Sequence, residues 1–247
     1  MFSGRGGPAM APIEEHGTFW VYDTRNETWH QLQPNDPGLR HPSGRSYHAL
    51  ANDGQDTIFL HAGCPEKGRL RDLWAFNISS RTWQEMTPAP APERGGTSIT
   101  YAHGKLYRMN GFDGQAEQGG ALDAFDVAEN LWNTIQFEPD GESGPPPRSV
   151  SCLLSVNINN KPSLVTMFGE CDPSSLGHHG AGKMLGDVWA FDILSQTWTE
   201  LHPGGDTPPP RGWFAAAAVV ENTGIIFHGG LAESNERLGD LWLLEFQ

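Results

Sequence analysis

The chain has 247 residues, 37% hydrophobic and 19% charged, with a net charge of −14 when histidine is neutral. That balance suits neither a membrane-spanning protein nor a disordered polyelectrolyte, and the acidic excess argues against nucleic acid, whose phosphates are bound through Lys and Arg. Glycine (30) and proline (19) make up about a fifth of the residues, well above the usual share of roughly 12%, so the expectation is many short strands joined by many turns in one all-β domain spanning 1–247.

In chain order, the first segment carries Gly6-Gly7, then Thr18-Phe-Trp-Val-Tyr-Asp23 and Thr28-Trp29. The second begins at Arg45-Ser-Tyr-His and continues through Thr57-Ile-Phe-Leu-His-Ala-Gly63 and Asp72-Leu-Trp-Ala-Phe-Asn77 to Thr82-Trp83. The third repeats the plan with Arg94-Gly-Gly, Lys105-Leu-Tyr-Arg-Met-Asn-Gly111, Leu122-Asp-Ala-Phe-Asp126 and Trp132. The fourth has Arg148-Ser-Val, Leu164-Val-Thr-Met-Phe-Gly169, Asp187-Val-Trp-Ala-Phe-Asp192 and Thr197-Trp198. The last has Arg211-Gly-Trp213, Ile225-Ile-Phe-His-Gly-Gly230 and Asp240-Leu-Trp-Leu-Leu244.

The leading arginines and the closing tryptophans both recur every ~50 to 65 residues, a period near that of kelch repeats. Each complete unit holds four strand signals bounded by Gly, Pro, Asn and Asp. The units resemble kelch repeats, which implies a β-propeller of four-stranded antiparallel blades. Counting turns gives about five blade equivalents, the first and last incomplete. A blade cannot cover its own apolar face, so the repeated Phe, Trp and Val read as packing between blades.

Three cysteines, Cys64, Cys152 and Cys171, form no CxxC pair, and the first residues lack the apolar stretch of a signal peptide. A reducing, cytoplasmic setting is the expectation, with no membrane partner.

One segment stands apart. Met167-Phe-Gly-Glu170-Cys-Asp172-Pro-Ser-Ser-Leu-Gly-His178-His179-Gly-Ala-Gly182 lengthens the fourth unit and puts Glu where another glycine is expected. Two carboxylates and an imidazole suit a non-haem iron site, or Mn, Zn or Mg; a solvated polar loop is the other reading. The ordered set Arg45-Ser-Tyr-His, Arg94-Gly-Gly, Gly111-Phe112, Arg148-Ser-Val, Phe168-Gly-Glu170, His178-x-Gly-x-Gly182, Arg211-Gly-Trp213, His228-Gly-Gly, Asn235-Glu-Arg237 and Asp240-Leu resembles plant nitrile-specifier and epithiospecifier proteins.

That resemblance implies a six-bladed propeller, longer at its N-terminus than this chain. It also implies a lyase- or isomerase-like enzyme that turns an unstable thiohydroximate sulfate into a nitrile with Fe(II). It places the metal on Glu170 and His178, with Ser174 where the family has its middle aspartate and Asp172, two residues after Glu170, read as the stand-in, and a small anionic metabolite against Arg45, Arg94 and Trp213. No catalytic side chain is identified. The alternative is a kelch scaffold that holds a protein partner without catalysis.

Overall fold

A computed structural model describes residues 1–175 and 180–246. Its described residues are almost entirely strands and turns, with one short 3₁₀ turn at Val220–Asn222. A small hairpin, β1 (Arg5–Gly6) and β2 (Ala11–Pro12), precedes the first blade, β3 (Phe19–Asp23) and β4 (Thr28–Leu32). The second blade is β5 (Ala49–Asn52), β6 (Thr57–Gly63), β7 (Leu70–Asn77) and β8 (Thr82–Met86). The third is β9 (Ser98–Ala102), β10 (Lys105–Met109), β11 (Ala121–Asp126) and β12 (Leu131–Gln136).

The fourth blade begins with β13 (Cys152–Ile158) and β14 (Lys161–Met167). A hairpin, β15 (Glu170–Asp172) and β16 (Lys183–Met184), then interrupts it before β17 (Val188–Asp192) and β18 (Thr197–Leu201). The last blade has three strands, β19 (Ala215–Ala218), β20 (Gly224–Leu231) and β21 (Arg237–Glu245). The sheets are antiparallel with each strand beside its neighbours in the blade. The expected propeller of five blade equivalents, incomplete at the two ends, is therefore present.

A pair of left-handed residues ends the second strand of each unit. They are Ala62-Gly63, Asn110-Gly111, Phe168-Gly169 and Gly229-Gly230. The glycine has no substitute, since a Cβ on Gly63 would lie 2.6 Å from the Ser46 carbonyl oxygen. In the first unit this turn falls at Ser3-Gly4, with φ of 48° and 121°, and not at the Gly6-Gly7 expected from sequence. Met1 exchanges two backbone hydrogen bonds with Trp20 of the first blade.

Successive blades share four apolar cores. Phe19 of the first packs with Leu60, Trp74 and Phe76 of the second. Phe59 and Leu73 pack with Leu106 and Phe125, Tyr107 and Leu122 with Leu164 and Phe191, and Val165 and Val188 with Ile225 and Phe227. Trp83 and Trp132 lie over the preceding blade, donating from Nε1 to the Gly17 and Thr87 carbonyls at 2.8 Å.

The leading arginines are the clamps of this assembly. Arg148 is fully buried and meets both Asp187 oxygens at 2.7 and 2.6 Å, and also the Phe168 carbonyl at the glycine turn. Arg45 holds Asp72, and Arg211 holds Asp240, in the same way. Asp187 and Asp72 also accept from the Trp189 and Trp74 indoles. Forked pairing of this kind satisfies a charge that would otherwise be costly to bury. The third blade departs from the plan: Ala121 occupies the aspartate position, and the buried ion pair is Arg108–Asp123 at 2.9 Å.

Candidate functional site

The glycine turns converge on one cavity of about 560 Å³. The residue after each turn faces it: Arg5, Cys64, Phe112, Glu170 and Leu231, one per blade. The third residue of each arginine tripeptide forms a companion set: Tyr47, Gly96, Val150 and Trp213. These four all have positive φ, between 47° and 63°. Backbone bonds string them together, Gly96 N–H donating to Tyr47 O, Val150 to Gly96 and Trp213 to Val150, at 2.9–3.0 Å. A parallel series runs from the Gly4, Gly63, Gly111 and Gly169 amides to the carbonyls of Arg45, Arg94, Arg148 and Arg211. The rim is thus rigid backbone. Val150, β-branched and left-handed, carries strain of ~1–3 kcal/mol that the surrounding bonds hold in place.

The side chains on this rim differ from blade to blade. Arg5 is tied by Nε to Ser46 Oγ at 2.7 Å and by its other nitrogens to the Met10 and Pro65 carbonyls. Arg69 lies with its guanidinium 5.0 Å from the Phe112 ring centre, and its buried Nε has no hydrogen-bond partner. Arg237 is exposed on the last blade. Glu66 and Glu170 are the acids of the lining. Three arginines against two glutamates make this a basic spot on a strongly acidic protein.

Glu170 is buried, and its Oε1 accepts the Gly182 amide at 2.8 Å. Burial raises its pKa, while backbone hydrogen bonds from Gly182 and Ser174 oppose the rise. The carboxylate thus joins the two sides of the fourth-unit insertion. Beside it, on the third blade, Glu117 is buried with neither carboxylate oxygen in a well-formed hydrogen bond. Its pKa is pushed up to about 8, chiefly by burial and further by Glu170 and Asp113, against the pull of the Ser149 hydroxyl and Arg69. Cys64, at the cavity wall, has its thiol pKa raised by burial despite Arg69 and Arg5 nearby, so it is a poor nucleophile.

Two of the residues expected at a site, Trp213 and Glu170, line the cavity. Arg45 and Arg94 do not: both are buried beneath the rim. Arg45 is spent on Asp72, while Arg94 donates to the Pro92 and Asn110 carbonyls. Asp172 is exposed on the hairpin, opposite Lys183 in register. His178 lies outside the described residues.

Among the described residues, no three His, Cys, Asp or Glu side chains gather as a metal set. Glu170 accepts the Gly182 amide and Asp172 is exposed, while the third expected metal ligand, His178, belongs to the segment outside the described residues. Arg5, Arg69 and Tyr47 escaped the sequence reading. The position directly after each glycine turn is the signal that finds Cys64, Phe112 and Leu231; Arg5 follows the Ser3-Gly4 turn, which the sequence does not mark.

The KLHDC2/KLHL20/DRC7 kelch-repeats domain family matches residues 1–169. The chain is 26% identical to Kelch domain-containing protein 10 of Xenopus tropicalis, over 96% of this chain and 47% of that protein. It is 25% identical to the leucine-zipper-like transcriptional regulator 1 homolog of Drosophila melanogaster, over 84% of this chain and 20% of that protein. It is also 25% identical to acyl-CoA-binding domain-containing protein 4 of Arabidopsis thaliana, over 88% and 31%. The chain spans less than half the length of each of these relatives. Its repeat plan, its blades and the family match agree: the chain belongs to the KLHDC2/KLHL20/DRC7 kelch-repeats domain family.

Proposed function

We propose that this chain is a protein-recognition propeller whose mouth cavity receives an acidic side chain or carboxylate of a partner protein. The observation that carries this reading is Arg69: its guanidinium lies over the Phe112 ring and its buried Nε–H is unsatisfied, in a cavity that Arg5 and Arg237 also line. An unpaired buried donor costs roughly 1–3 kcal/mol, which an incoming carboxylate offsets. Arginine presents the planar fork that a carboxylate fits. Rigid rim backbone with variable side chains also suits recognition, because little order is lost on binding. The relatives described as kelch domain-containing and regulator proteins fit a scaffold better than a nitrile-forming enzyme.

Selection from a random displayed-peptide library tests the proposal. Bound peptides should be enriched in Asp and Glu, and Arg69→Gln with Arg237→Gln should weaken them at least tenfold. Enrichment of neutral or basic peptides, or binding indifferent to both substitutions, refutes it. A small anionic metabolite would meet the same arginines. Competition by millimolar inorganic sulfate against the selected peptide separates the two: full displacement at that concentration favours a small anion as the ligand.

A further inference from the structure

Two zones of opposite charge surround the cavity. Its lining carries Arg5, Arg69 and Arg237. The loops that run from the glycine turns toward the third strands rise out of this lining, since Cys64, Phe112, Glu170 and Leu231 at their starts belong to it. These loops then place a collar of acids beside the mouth: Glu66 in the second unit, Asp113 in the third, Asp172 in the fourth, and Glu233 with Glu236 in the last. Asp113 is half-buried and the other four are exposed. Outside the lining, the described parts of these loops and of the β15–β16 hairpin add two cations, Lys67 and Lys183. Glu117 does not join the collar, because it is buried and holds its proton at neutral pH.

The collar does not neutralise the cavity arginines by contact. Among the described residues, no Lys, Arg or His nitrogen comes within ion-pair distance of any of the five carboxylates. Their charge is therefore directed outward, toward whatever lies across the mouth. A cavity of about 560 Å³ is roughly 10 Å across and takes about three residues of extended chain at ~3.4 Å each. The residues that come next along an inserted segment lie level with the collar, well inside the Debye length of about 10 Å at 0.1 M salt.

We propose, resting on the reading of this cavity as a carboxylate site, that the partner segment carries one acidic group flanked by lysine or arginine about three to six residues away. The acid meets the arginines of the lining, and the flanking cations meet Glu66, Asp113, Asp172, Glu233 and Glu236. A second acid on the partner would stand against the collar and be repelled. Like charges set opposite each other are how an interface rejects a wrong partner and fixes the register of the right one. A uniformly acidic segment therefore satisfies the cavity and fails at its mouth. The collar thus selects a segment of mixed charge from among those that the arginines alone would accept.

The test reads the peptides that the chain selects from a random displayed library, position by position around the acid each one carries. Lys and Arg should be enriched roughly threefold within about six residues of that acid, and second acids depleted. Asp172→Asn with Glu233→Gln and Glu236→Gln changes three exposed side chains on two blades. This triple variant should select the same acid without the basic flanks. Two synthetic peptides then complete a cycle: the strongest wild-type selection, and its copy with the flanking Lys and Arg replaced by Ser. The triple substitution should weaken the first on the order of tenfold and change the second less than about twofold. Acids selected without basic flanks, or basic flanks selected equally by the triple variant, overturn the collar and leave the carboxylate reading standing. Peptides without an acid, or binding indifferent to Arg69→Gln with Arg237→Gln, overturn that reading and the collar with it.

Discussion

Glu117 gives the sharpest test of the buried electrostatics. It is 9% exposed, its oxygens lack well-formed partners, and burial moves its pKa from 4.5 to about 8. The folded chain therefore holds this group protonated at neutral pH, while the unfolded chain ionises it. Stability from this group is complete below the unfolded pKa and falls as pH rises through the folded one. Between pH 4.5 and 8 the shift corresponds to about 5 kcal/mol at most, at 1.36 kcal/mol per unit. Glu117→Gln keeps the shape and removes the proton equilibrium. Urea unfolding at pH 5, 7 and 9 should show the two proteins nearest in stability at pH 5, with the advantage of the Gln variant growing to several kcal/mol at pH 9. Comparing the two cancels the other titrating groups, which they share. Curves that stay parallel across this range would mean that Glu117 is solvated or paired, and the account of its burial would fail.

Other predictions concern the clamps and the metal. Arg148→Met strands the Asp187 carboxylate and the Phe168 carbonyl, and should cost about 3–5 kcal/mol, a Tm drop of roughly 10 °C by calorimetry; adding Asp187→Leu should recover part of it. Ala121→Asp restores to the third blade the carboxylate that Arg94 lacks, and should raise stability by about 2 kcal/mol in denaturant unfolding. Fe(II) added without oxygen should shift the Tm of the wild type and of Glu170→Gln equally, since Glu170 is held by backbone amides; a rise confined to the wild type would restore the iron reading.

The architecture was legible because two landmarks, arginine and tryptophan, keep one period through the chain. The first unit was misread by three residues. Its left-handed turn uses Ser3 before Gly4, and a serine in that conformation leaves no trace in sequence, whereas the nearby Gly6-Gly7 looks like the motif. The fate of Arg45 was legible in principle, since Asp72, Asp187 and Asp240 stand at one fixed place in their units and announce a partner for each arginine. Glu170 was found because it interrupts a repeat, and Trp213 because the specifier-protein resemblance put it against the ligand. Arg69 and Arg237 stand three residues before Asp72 and Asp240, one place in their two units, but the other units lack an arginine there and only folding brings Arg69 over Phe112.

The residues that bind the blades together and those that line the cavity are different in this molecule. What recurs in most blades serves cohesion: the arginine clamp is buried, and the closing Trp is half-buried against the preceding blade. What recurs only as backbone, the left-handed turn and the residue after it, is where the side chain is free to change: Arg5, Cys64, Phe112, Glu170 and Leu231 share a position and share no chemistry. The third blade shows that the cohesive set can itself drift. Arg108 and Asp123 replace the apolar partners Leu60 and Trp74 of the second blade, at the same register. Burial lowers the pKa of Arg108 to about 9, and the neighbouring charge of Arg94 adds to the fall. Drift inside the wall changes stability, while the same freedom at the rim changes the chemistry of the cavity lining, because the rim backbone is fixed by bonds that involve no side chain.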